Sequence, residues 1–248
     1  MTQSKTSVPS TSQEPKYSWD YDIPQTPFWA DLPFTTGRNF LQCYTSDEIA
    51  QMDPEFFHLT TLTISEKHQL LVRHSHVALA AREAGVAPAS LKDADNRAWH
   101  RYMLAIYTSQ NELKLPEARD TLQLMLDNSS GDDRVPWLNM MAAYTIDQGD
   151  YVQGEKMERE VLPWMQNHPR LGVDSPQALG TMRRITVAVW KQGREVEARG
   201  LVTEMEALVE GLSVGPSKFV KYQEDERQEL GKVVDELEKW TQARAGGE

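Results

Sequence analysis

Trp137-Leu-Asn-Met-Met-Ala-Ala-Tyr144 leads through Asp147-Gln-Gly-Asp-Tyr151 to Gly154 and Val161-Leu162. Thr181-Met-Arg-Arg-Ile-Thr-Val-Ala-Val-Trp190 leads through Lys191-Gln-Gly-Arg194 to Ala198 and Leu201. A shift of 44 residues lays Gln148 on Gln192, Gly149 on Gly193 and Gly154 on Ala198. Self-similarity at such a period is the mark of a helical repeat array. Gly149 and Gly193 fall where one helix must end in a sharp bend, a place for a left-handed backbone that glycine adopts cheaply. Gly154 and Ala198 follow on the next helix, where a very small side chain lets two helices lie close. Apolar residues recur at spacings of three and four, so each helix has one stripe to bury.

Working outward, Trp99 to Leu126 reads as a third, degenerate hairpin with Ala118 as its small residue; its turn, Gln110 to Leu115, lacks glycine. Ile64 to Ala84 is an amphipathic helix stopped by Gly85, with Pro88 just beyond. Ser46-Asp-Glu-Ile opens a helix, and Asp53-Pro54-Glu55 opens another. Pro216 to Ala243 is one charged helix whose apolar side includes Leu230, Val234, Leu237 and Trp240, suited to shield the last hairpin. Arg244 to Glu248 is expected to fray. No sustained alternation of apolar and polar residues marks a strand. The expected fold is all-α.

The stretch from Glu155-Lys-Met-Glu-Arg-Glu-Val-Leu162 through Leu171-Gly-Val-Asp-Ser-Pro176 to Gln192-Gly-Arg-Glu-Val-Glu-Ala198 resembles the tetratricopeptide repeat family, in its kinesin-light-chain-like subclass. Thr145 and Val189 stand where that family prefers Tyr, and Gly154 where it prefers Ala. The resemblance implies a short α-solenoid of antiparallel hairpins in a right-handed superhelix. The hairpins would span about 97–128, 135–167 and 175–211, with a capping helix over 216–243. The whole repeat domain would run from 46 to 243.

Residues 1–16 are Ser, Thr, Gln and Pro without apolar period, an expected disordered tail. Residues 17–45 hold Trp19, Tyr21, Phe28, Trp29, Phe34 and Phe40 together with Pro24, Pro27 and Pro33. The prolines exclude a long helix, so this stretch is expected as an extended aromatic arm packed on the repeats.

A net charge of −11 argues against nucleic acid, whose phosphates want a basic face. The single Cys43 leaves no internal disulfide, which suits a cytoplasmic setting. No run approaches the ~18 apolar residues that cross a bilayer, and the first residues lack the apolar core of a signal peptide. Neither membrane nor cofactor is expected. His74 and His76 would point about 200° apart on a helix, and His68 lies on another face, so no metal site is expected. Cys43 has no visible base beside it. Nucleotide and hydrolase motifs are missing.

The resemblance puts the first helix of each hairpin on a concave groove. Its inward residues would be Trp99, Tyr102 and Ile106, then Asn139, Ala143 and Asp147, then Arg183, Val187, Trp190 and Lys191. Arg183 or Lys191 would hold a peptide carboxylate, and Asn139 would bond its backbone. The expected function is a non-catalytic adaptor that binds another protein or peptide, with self-association also open. The alternative is a small-molecule binder or motif-less enzyme of the cyclase or isomerase type, using an apolar pocket between the arm and the helices. The arm itself could instead fill the groove.

Overall fold

The computed structural model describes residues 21–52 and 61–245. The expected tail, Trp19 and the rest of 17–20, the short helix expected at Asp53-Pro54-Glu55, and residues 246–248 lie outside that range. Among the described residues every regular element is helical and there is no strand. No helix among them is long and apolar enough to cross a membrane. The chain divides into two compact units, Met1–Ala118 and Arg119–Glu248. The helices expected to form the first hairpin therefore fall on either side of the division.

In the first unit, α1 (Pro27–Ala30) and α2 (Phe34–Leu41) occupy the stretch expected to be extended. The prolines shorten helices here but also start them. Pro27 sits in the first turn of α1, where its missing N–H has no helical partner to lose, and Pro33 is the N-cap of α2. The aromatics make a core of their own. Phe28, Trp29, Phe40, Leu41 and Leu71 are buried together, with the Phe28 and Trp29 rings edge to face at 4.9 Å. Helix α3 (Ser46–Gln51) begins at Thr45, which exchanges side-chain and backbone hydrogen bonds with Glu48. Thr63 and Glu66 cap α4 (Ile64–Val86) in the same reciprocal way. Gly85 lies within the last turn of α4 and does not stop it. Short α5 (Leu91–Ala94) precedes α6 (Asn96–Glu112), and α6 packs on α2, α4 and α5. The buried Lys67 ties α4 to α1, donating to the Pro27 carbonyl at 2.9 Å and to Asp31 at 3.3 Å.

The second unit contains most of α7 (Glu117–Asp127), a 3-10 turn at Gly131–Arg134, and then α8 (Val135–Asp147), α9 (Tyr151–Asn167), α10 (Pro176–Lys191), α11 (Glu195–Gly211) and α12 (Gln223–Ala245). From α8 onward each helix packs on the next; α10 also touches α8, and α12 touches α10. Both glycine bends are where the repeat places them, with φ of +87° at Gly149 and +82° at Gly193. The bends share one hydrogen-bond pattern. Asp150 N–H reaches back to the Thr145 carbonyl, and Arg194 N–H to that of Val189, both at 3.1 Å. The turn after α6 is built the same way without glycine: Lys114 takes φ +56°, and Leu115 N–H bonds the Gln110 carbonyl at 3.0 Å. A Cβ on Gly154 would lie 2.3 Å from Cγ1 of Ile146, which is why α9 can lie so near α8.

Candidate functional site

The residues expected to line a groove are divided between the two units. Trp99 and Tyr102 belong to the first unit and are buried there. The Tyr102 hydroxyl donates to the Cys43 carbonyl at 3.2 Å and accepts from Arg82 Nε at 3.4 Å. Beside it, the Tyr44 hydroxyl meets His74 Nδ1 at 3.5 Å. Burial pushes the Cys43 thiol up to about 12 and raises both tyrosines; burial, with Arg73, holds His74 below its ordinary value. These shifts keep every one of the four groups neutral near pH 7. The thiol is deactivated as a nucleophile, so this cluster works as a polar seam in a packed interior.

In the second unit Trp190 is core, packed with Ile185, Val189, Ala198 and Leu237. Lys191 Nζ lies 3.2 Å from the centroid of the Trp240 ring. Arg183 is ion-paired with Glu226 of α12. Asn139 faces inward as well: its Oδ1 accepts from Arg184 Nη2 at 2.5 Å and from Thr181 Oγ1 at 3.1 Å. Arg184 completes the seam by pairing with Glu158, whose side chain is fully buried. Burial raises the Glu158 pKa above the ordinary carboxylate value; the Arg184 charge opposes the shift without cancelling it. Asp147 is exposed at the end of α8.

The apolar pocket beside the aromatic stretch has a volume of about 180 Å³. Its walls, among them Ile23, Trp29, Leu32 and Phe34, all come from that stretch itself, so it does not lie between an arm and the later helices. It is also smaller than the ~300–1,000 Å³ of ordinary ligand sites.

A feature that the sequence did not announce lies at the junctions between hairpins. Where α9 meets the bend between α10 and α11, Glu155 is nearly buried and fully engaged. Its carboxylate accepts from Arg159 Nε at 2.7 Å, Gln192 Nε2 at 2.7 Å and Arg194 Nη1 at 2.6 Å. Arg159 and Arg194 both continue to Glu197, at 2.5 and 2.6 Å. Burial alone would raise the Glu155 pKa, but the three donors outweigh it and hold it low. This junction is sealed by charge.

The equivalent place one hairpin earlier is open. Buried Ala118, Leu122 and Met125 of α7 match Gly154, Glu158 and Val161 of α9 in spacing and burial. That register puts Arg119 where α9 has Glu155 and Gln123 where it has Arg159. The 44-residue shift puts Gln148, Asp150 and Gln153 where the sealed junction has Gln192, Arg194 and Glu197. These five residues line a pocket of about 520 Å³, with Met141, Tyr144 and Met157 as its apolar part. Among the described residues no ion pair joins Arg119 to Asp150. Asp150 Oδ1 instead accepts the Gln153 N–H at 3.1 Å, as the N-cap of α9. Among the described residues no group of three or more His, Cys, Asp or Glu side chains is placed to hold a metal.

Comparison with known proteins yields no matching family model, no matching curated protein and no matching solved structure.

Proposed function

We propose that the chain is a non-catalytic docking module, in which the hairpins of the second unit form a short tetratricopeptide-like stack that receives a segment of a partner protein. The observation that carries this reading is the regular succession α8 to α12. Two hairpins share one bend geometry, and α8, α10 and α12 contact one another in series. Such a row presents a preformed face with little to order on binding. Only some of the residues named by sequence lie on the accessible part of that face. Arg183, Trp190 and Asn139 are spent on internal contacts, which leaves Asp147 at the rim and half-buried Ala143 and Val187 between the helices.

The test is affinity capture from the native cell with the intact protein and with Asp147→Arg and Val187→Lys variants, each checked for helicity by circular dichroism. The reading expects a specific partner protein that both variants lose while staying folded. A partner retained undiminished by both variants removes this face from consideration.

A further inference from the structure

The two places correspond in sequence register, and they differ in a way that points to a ligand. In the sealed copy a carboxylate from the earlier helix, Glu155, meets a guanidinium from the bend, Arg194. In the open copy the charges are exchanged: the earlier helix offers the guanidinium of Arg119 and the bend offers the carboxylate of Asp150. The opposite charges line one pocket and do not touch. Gln148 is the counterpart of Gln192, which in the sealed copy gives its amide N–H to the carboxylate of Glu155. Among the described residues the Gln148 amide and the Tyr144 hydroxyl have no side-chain partner.

We propose that this pocket binds a zwitterionic ligand of the short-peptide class, whose carboxylate lies on Arg119 and whose ammonium lies on Asp150. The ligand would bridge the two charges that the sealed junction joins directly. Each element of the pocket has a use in that assignment. Arg119 offers a planar fork of donors that suits a carboxylate. Asp150 keeps one oxygen for its helix cap and has the other for a cation. The amides of Gln148 and Gln153 can pair with peptide groups, as can the amide oxygen of Gln123, whose Nε2 already donates to Asp127 at 2.7 Å; Met141, Tyr144 and Met157 offer an apolar wall to a side chain. A volume of about 520 Å³ lies within the ordinary range for small-ligand sites. A purely anionic ligand would face Asp150 unpaired, and a purely cationic one would face Arg119. The site does not depend on the docking face proposed above, so each can fail alone.

The experiment is calorimetric titration of the full chain with the tripeptide Ala-Leu-Ala, its N-acetylated form and its C-amidated form. Blocking either end should weaken binding about tenfold or more. Arg119→Ala should erase the penalty for amidation and keep that for acetylation. Asp150→Asn, which preserves the helix cap because Asn caps as well as Asp, should do the reverse. The double variant Arg119→Glu with Asp150→Arg recreates the sealed charge pair and should abolish binding of all three peptides with the fold intact. Equal binding of free and blocked peptides, or no binding of Ala-Leu-Ala by about 10 mM, overturns the assignment. So does either single variant that leaves both penalties unchanged.

Discussion

Gly154 shows how much structure one missing carbon can carry. Glycine is a poor helix former, yet here it lies four residues into α9, where Ile146 of α8 already fills the space of a methyl group. The second hairpin uses Ala198 at this place and sets it against Trp190. Small residue and facing side chain therefore vary together. A reading by family preference would accept alanine at 154, but the contact is with Cγ1, close to the Ile146 backbone and unable to swing away. Gly154→Ala is expected to cost about 1–3 kcal/mol as an overpacked site, read as a lower urea midpoint. In a double-mutant cycle the cost of Gly154→Ala should shrink when residue 146 is already alanine. A single variant as stable as the parent would mean that the two helices lie farther apart than described. The bends were legible in the same way at Gly149 and Gly193. The third, placed at Gln110 to Leu115, has no glycine to mark it, because Lys114 takes the left-handed backbone there.

Most helices were visible in the sequence because apolar spacing fixes a buried stripe and leaves the ends to caps. In the second unit the helices run Val135–Asp147, Tyr151–Asn167, Pro176–Lys191 and Glu195–Gly211. The short helices α1 and α2 were missed because their prolines read as breakers, although the first turn of a helix tolerates proline. The charged contacts were missed for a different reason. Arg183 and Glu226 are 43 residues apart, and Arg184 and Glu158 are 26 apart; nothing local distinguishes them from solvated charges. That gap decides what α12 is. Its exposed acids suggest a plain polar cover, yet Glu226 is nearly buried against Arg183, while Leu230 and Leu237 enter the cores built on α10 and α11. Replacing Glu226 by Ala leaves Arg183 partly desolvated without its partner, at an expected cost of about 1–3 kcal/mol. Amide exchange should quicken across α12 and the facing part of α10 before it does in α8 and α9. Glu229→Ala, at an exposed position one turn on, should change little. Uniform acceleration over the whole second unit would show that α12 is not held by this contact.

For the molecule as a whole, the pH dependence of stability should reveal which of its many carboxylates matter. Glu155 and Glu158 stand one turn apart on α9 and act in opposite directions. Glu155 is held low by its three donors, so its contribution is present above the ordinary carboxylate pKa of 4.5 and is lost as pH falls. Glu158 is raised by burial, so the folded state binds its proton more tightly than the unfolded state does. Its contribution is full below 4.5 and is lost as pH rises through the folded value. Glutamine at 158 has the shape of the acid and no proton to lose. The stability of Glu158→Gln relative to the parent should therefore improve as pH rises above 4.5 and level off once pH passes the folded value of Glu158, whatever the absolute cost of disturbing Arg184. Urea denaturation of both proteins across that range gives the comparison directly. A difference that stays flat, or drifts against the variant, would mean that the Arg184 ion pair and its neighbours, Asn139 and Thr181, outweigh burial. Glu158 would then be an ordinary salt-bridge partner, and the seam between the hairpins would resist acid less well than its burial implies.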